Sequence, residues 1–211
     1  MENIEIYLGS TVIIESSHPA IVETARKVTE GCGNDRERAV KLFYFVRDSI
    51  HYNIYMASVF LDDFKAATVL ERGKGYCVQK AVLLTALSRA AGIPGRLAFA
   101  SIRNYKMPSH VAEVMGGNIA PRHGYNQFFL EGNWVTAAPT FDRGLCDKAG
   151  VPTVEFDGVH DAMLPEKDFK GQPYIEYLEK FGFFDDLPLE WLAERISQIW
   201  GADKRSWLNK P

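Results

Sequence analysis

The chain has 211 residues, 46% of them hydrophobic, and 24 basic side chains set against 27 acidic ones leave a formal net charge of -3. That is enough apolar material for a full core in one domain, and the charge gives no attraction to nucleic acid or to an anionic membrane. Cysteines 32, 77 and 146 are odd in number, far apart and without a Cys-x-x-Cys pair, which argues against a disulfide framework or zinc ribbon and for a reducing cytoplasm. The start, Met1-Glu2-Asn3-Ile4-Glu5, is acidic and lacks a signal-peptide pattern. No apolar run approaches the ~18–20 residues that span a bilayer.

In chain order, Ile4 to Ile14 is rich in β-branched residues and interrupted by Gly9-Ser10, which predicts strand, loop and strand. Ser17 is placed to cap a helix with Pro19 just inside it and Ile21, Ala25 and Val28 on one face, ended by Gly31-Cys32-Gly33. Asn34 with Glu37 three positions on resembles a capping box, and Ala39, Phe43, Val46 and Ile50 give the following helix a core face. His51 follows at its C-terminus, where a histidine is usually a dipole partner or a packed ring. Thr68 opens a short helix that Gly73 stops.

The stretch from Gly73 to Pro94 organises the rest. Val78, Val82, Ala86 and Ala90 recur every four residues beside Leu83 and Leu87, the pattern of a buried helix. Gly92 suits its C-terminal cap and Pro94 cannot continue it. Cys77 therefore lies at the helix N-terminus, where backbone N–H groups and the dipole favour a thiolate. The alternative is a small hydrophobe in a core, the commoner use of a lone cysteine.

After Pro94, residues 95–102 predict a strand and residues 103–122, with His110, a long irregular connection or binding loop. His123 to Leu130 is a strand by its aromatics, Glu131-Gly132-Asn133 a hairpin turn, and Trp134 to Ala138 the return strand before Pro139. From residue 143 the regular signals thin into a loop-rich extension, until Leu189, Leu192, Ala193, Ile196 and Trp200 mark a last amphipathic helix opened by Pro188. The aromatics Phe181, Phe183, Phe184, Trp191, Trp200 and Trp207 suit a cover for the core, and the tail 204–211 is polar. His160-Asp161 near Asp157 lacks metal-ligand spacing, so no metal is expected.

A cysteine becomes a nucleophile when a histidine takes its proton and a third group orients that histidine. Of the five histidines, His123 begins a strand that should pack on the Cys77 helix, the geometry a sulfur–imidazole pair needs.

At this point the sequence resembles the transglutaminase-like superfamily. The resemblance rests on Gly75-Tyr76-Cys77 before a long helix, on Ala91-Gly92-Ile93-Pro94-Gly95-Arg96 leading into a strand, and on the His strand, glycine turn and Trp strand ending in Pro139-Thr140. It covers roughly residues 35–142 and implies an α+β fold, a cysteine-proteinase/transglutaminase-like core in which the Cys-bearing helix packs on an antiparallel sheet. Around that core, residues 1–34 form a strand and helix lead and 143–211 an extension of a single domain.

By the same resemblance Cys77 is the nucleophile and His123 its base. The family's acid falls immediately before the proline, where this chain has Ala138. Asp142 and Asn126 are the available replacements. Asn126 lies three residues beyond His123 on a strand and points to the opposite face, so Asp142 is preferred. Tyr125 matches an aromatic the family tends to place two residues after the histidine. The Cys77 N–H is a natural oxyanion donor, with Tyr76 and Gln79 as candidates for a second. The expected activity is acyl transfer through a thioester on a peptide or protein amide. Hydrolysis (a cysteine peptidase or amidase) is preferred to transamidation, with no cofactor. The alternative is a catalytically silent binding or scaffold module, which Ala138 favours.

Overall fold

A computed structural model describes residues 3–200. The fold is α+β, built on a four-stranded antiparallel sheet and a buried helix. The helices α1 (Pro19–Val28), α2 (Asp35–Ser49) and α3 (Ala66–Arg72) surround α4 (Cys77–Ala90), and α4 lies against the sheet strands β3 (Gly95–Asn104) and β4 (Ile119–Leu130). Two-residue strands β1 (His51–Tyr52) and β2 (Lys74–Gly75) pair in parallel just before α4. β5 (Asn133–Ala137) closes the hairpin with β4, and β6 (Ile175–Phe184) pairs with the other side of β3, giving the order β5-β4-β3-β6. The remaining helices are α5 (Ser109–Met115), α6 (Arg143–Ala149) and α7 (Leu189–Trp200).

α4 is buried along nearly its whole length, and its polar members are satisfied. The Asn126 amide donates to Ala81 O and Thr85 Oγ1 at 2.8 Å. Lys80, wholly buried, donates to Arg47 O and Ile50 O and so closes the C-terminus of α2. Burial drives the Lys80 ammonium down to about 7. The capping box of α2 forms, with Asn34 Oδ1 accepting from Glu37 N–H and the Glu37 carboxylate reaching Gly33 N–H.

Several expectations are corrected. Ile4 to Ile14 forms a 3-10 turn (Ile4–Leu8) and further turns rather than two strands. Its Ile13 and Ile14 are buried, and Ile13 O accepts from Ala66 N–H at the start of α3. The cap of α1 is His18, whose Nδ1 accepts from Ala20 N–H, not Ser17. α3 begins two residues before Thr68. Residues 103–122 hold the end of β3, α5 and the first residues of β4, so β4 begins before His123, and the loop-rich extension contributes β6 to the main sheet. His51 is exposed. The polar tail 204–211, Trp207 and the Trp200 side chain lie outside what the structure describes.

Candidate active site

Cys77 is the first residue of α4, and its position is set from both sides. Gly73, at φ 62°, ends α3, the short β1–β2 ladder follows, and Gln79 Oε1 accepts from the Tyr76 N–H at 3.1 Å, as in a capping box. Gln79 also donates to Asp63 O, so both ends of this side chain are engaged in building the loop. On the sheet side, the β4–β5 ladder stops at Asn126↔Ala137. Two residues back, the Gly124 N–H turns to the Cys77 sulfur, which the N–H groups of Val78 and Cys77 itself also approach. A Cβ at position 124 would lie 3.0 Å from the Val78 Cα, so only glycine lets the helix N-terminus come this close to β4.

That contact sets Cys77 beside the backbone of the residue after His123. Both residues line one cavity of about 390 Å³, and both are buried, Cys77 at 7% exposure and His123 at 1%. His123 shares its side of β4 with Tyr125. Their rings stack at 6.1 Å, and Tyr177 of β6 meets both edge-on. Asn126 lies on the other side of the strand, holding α4, as its offset from His123 predicts. The Nε2 of His123 is buried without a hydrogen-bond partner.

The electrostatics differ from those expected at a helix N-terminus. Burial pushes the Cys77 thiol up to about 11, outweighing the three backbone N–H groups and nearby Lys80. Burial alone takes the His123 imidazole down to about 3. Removing each group from water disfavours its charged form, so the resting pair is a neutral thiol beside a neutral imidazole.

Both carboxylate oxygens of Asp142 are taken by backbone N–H groups. One oxygen accepts from Leu145 N–H, capping α6, and the other accepts from Tyr52 N–H at 2.8 Å, pinning β1. Ala138 is fully buried, with its N–H given to Ala162 O. Tyr76 lines the cavity, and its hydroxyl, like the Thr140 hydroxyl, is buried and unpartnered. Tyr52, Cys146 and Tyr174 also line it. None was singled out from the sequence as a site residue, because nothing local in residues 52, 146 or 174 shows that three distant segments converge there. His160 bonds Asp157 at 2.7 Å, and among the described residues no three His, Cys, Asp or Glu side chains gather as a metal site. Nor is any described helix long and apolar enough to cross a membrane.

The family model of the Transglutaminase-like superfamily matches residues 22–139, more than half of the chain. The chain belongs to the transglutaminase-like superfamily. Among solved structures it is similar to a candidate cysteine protease from Cytophaga hutchinsonii, at 14% identity and a TM-score of 0.53, over 87% of this chain and 55% of that one. The chain thus spans about half the length of that protein, and the likeness is one of fold. It also matches a candidate protease from Parabacteroides distasonis (16% identity, TM-score 0.43, 59% of this chain and 24% of that one) and a TGase (17%, 0.37, 60% and 31%). No curated protein matches.

Proposed function

We propose that this protein is a cysteine-nucleophile acyl-transfer enzyme that cleaves amides through a thioester, with Cys77 as nucleophile and His123 as its base. The observation that carries this reading is the seat of the Cys77 sulfur, against the Gly124 N–H at the start of a buried helix, in a cavity shared with His123. The cysteine-protease relative supports a peptide amide as substrate. Because thiol and imidazole rest neutral, His123 takes the thiol proton as sulfur attacks the carbonyl carbon. The oxyanion develops near the Cys77 N–H, and His123 then returns the proton to the departing amine. Water, deprotonated by His123, resolves the thioester to acid and free thiol. Asp142 serves the scaffold in this scheme, and His123 works without an acid.

The test combines alkylation with turnover. Iodoacetamide labelling resolved by mass spectrometry should give Cys77 an inflection above the ~8.5 of a free thiol, with Cys32 as control. Hydrolysis of a fluorogenic peptide-amide panel should vanish in both Cys77→Ala and His123→Ala. Turnover that survives either substitution would sink the assignment. The unpartnered His123 Nε2 and Ala138 favour a second reading, a catalytically silent binding module, and an intact, unmodified protein inert on every amide would establish it.

A further inference from the structure

The cavity above Cys77 has a composition that narrows the substrate. Its walls include Ile102, Met107, Val111, Leu192 and Ile196, from β3, the α5 segment and α7. At about 390 Å³ it lies toward the lower end of the range of about 300–1,000 Å³ for small-ligand sites. That volume matches one or two residues of a substrate. The charged residues lining it, among those described, are Lys106, Arg122 and Arg195, with His110 beside them and no carboxylate.

These cations are not equally occupied. Lys106 is paired with Asp168 at 2.8 Å, and Arg195 donates to Gln198. Arg122 is under-compensated. Its Nη2 lies 3.5 Å from the Glu194 carboxylate, a side chain 65% exposed, while its Cζ sits 4.2 Å over the Trp191 ring. Its Nη1 is buried with no hydrogen-bond partner, and the like charge of Arg195 bears on it. A buried guanidinium donor left unmade costs free energy that an incoming anion recovers.

We infer that the site, if it cleaves amides as proposed above, takes an amide that ends in a free carboxylate next to an apolar side chain, with Arg122 receiving that carboxylate. The C-terminal residue of a peptide and a free N-acyl amino acid share this chemistry. Cys77 attacks the carbonyl of the last amide bond, the amino acid departs with the proton from His123, and water releases the acyl half as its acid.

The test is equilibrium binding to full-length Cys77→Ala protein, which separates recognition from turnover. The probes are N-benzoyl-glycyl-phenylalanine, its C-terminal amide, and a hexapeptide ending in phenylalanine. The free acid is expected to bind at least tenfold more tightly than its amide, a preference that rising salt weakens and Arg122→Gln abolishes. Equal affinity of acid and amide, tighter binding of the amide, or no binding of any probe would overturn the inference, and none of these needs the Arg122 variant to fold. Hexapeptide binding comparable to the short acid identifies the peptide C-terminus as source, and binding of the short acid alone identifies the free N-acyl amino acid. If the acid binds as expected while wild-type protein cleaves nothing, the amide-cleaving reading fails and the recognition stands.

Discussion

Ala138 follows the last β4–β5 pair, Asn126↔Ala137, and extending that register by one residue would set it opposite Tyr125, two positions along β4 from His123. A carboxylate introduced there would be a diagonal neighbour of the imidazole, within reach of a side chain two bonds longer. Ala138→Asp is therefore expected to raise the His123 pKa from about 3 toward neutrality, since an adjacent anion favours the imidazolium. The Cys77 alkylation inflection should move down with it. Ring-proton NMR titration of His123 measures the first effect, and an unmoved titration would refute this geometry. At this scale the sequence marked Cys77 and His123 as candidates, because a glycine-led helix start and a His strand followed by a glycine turn are local signals, and the two line one cavity. It did not carry the task of Asp142. The two N–H groups that take its carboxylate belong to Tyr52 and Leu145, and Gly144, early in α6, weakens that helix's signal.

Among elements, the meeting of β4 with the N-terminus of α4 decides whether a site exists. Gly124→Ala would place a methyl group 3.0 Å from the Val78 backbone and 3.1 Å from Cγ2 of the same residue. Backbone cannot yield as a flexible side chain does, so a loss of about 1–3 kcal/mol is expected from such overpacking. Urea denaturation would show the loss, and the Cys77 inflection should fall toward the free-thiol value as the helix backs away into water. A fully stable variant with unchanged labelling would contradict the close approach. α2, α4, β3 and the β4–β5 hairpin were legible because each buries a continuous face. β6 was not, since it is an edge strand with Glu176, Glu179, Lys180 and Gly182 breaking its alternation, and its pairing with β3 slips twice in register. Ile4 to Ile14 misled in the opposite direction, because β-branched residues fit a strand only where a partner strand is on offer.

For the molecule as a whole, the buried neutral His123 makes stability depend on acid. Below the ordinary value of 6.5 the unfolded chain binds a proton at this ring, whereas the folded chain binds none until about pH 3. Stability contributed above pH 6.5 is thus lost progressively as pH falls through that window, by about 2 kcal/mol at pH 5. Urea unfolding of wild type and His123→Gln at pH 7 and pH 5 should show a smaller drop in the variant. Equal drops would mean that the ring is protonated in the folded state.

Arg89, buried on α4, donates to the carbonyls of Gly9, Gly95 and Asp185, and β3 has β6 as its second neighbour. On the ribosome these pieces emerge far apart in time. While residues 22–139, the part that carries the family's pattern, have left the exit tunnel and β6 has not, one edge of the central strand is open and a buried guanidinium lacks one of its acceptors. The nascent chain consequently passes through an interval in which β3 is exposed to wrong pairing, and the fold locks only when the last third of the polypeptide arrives to close that edge.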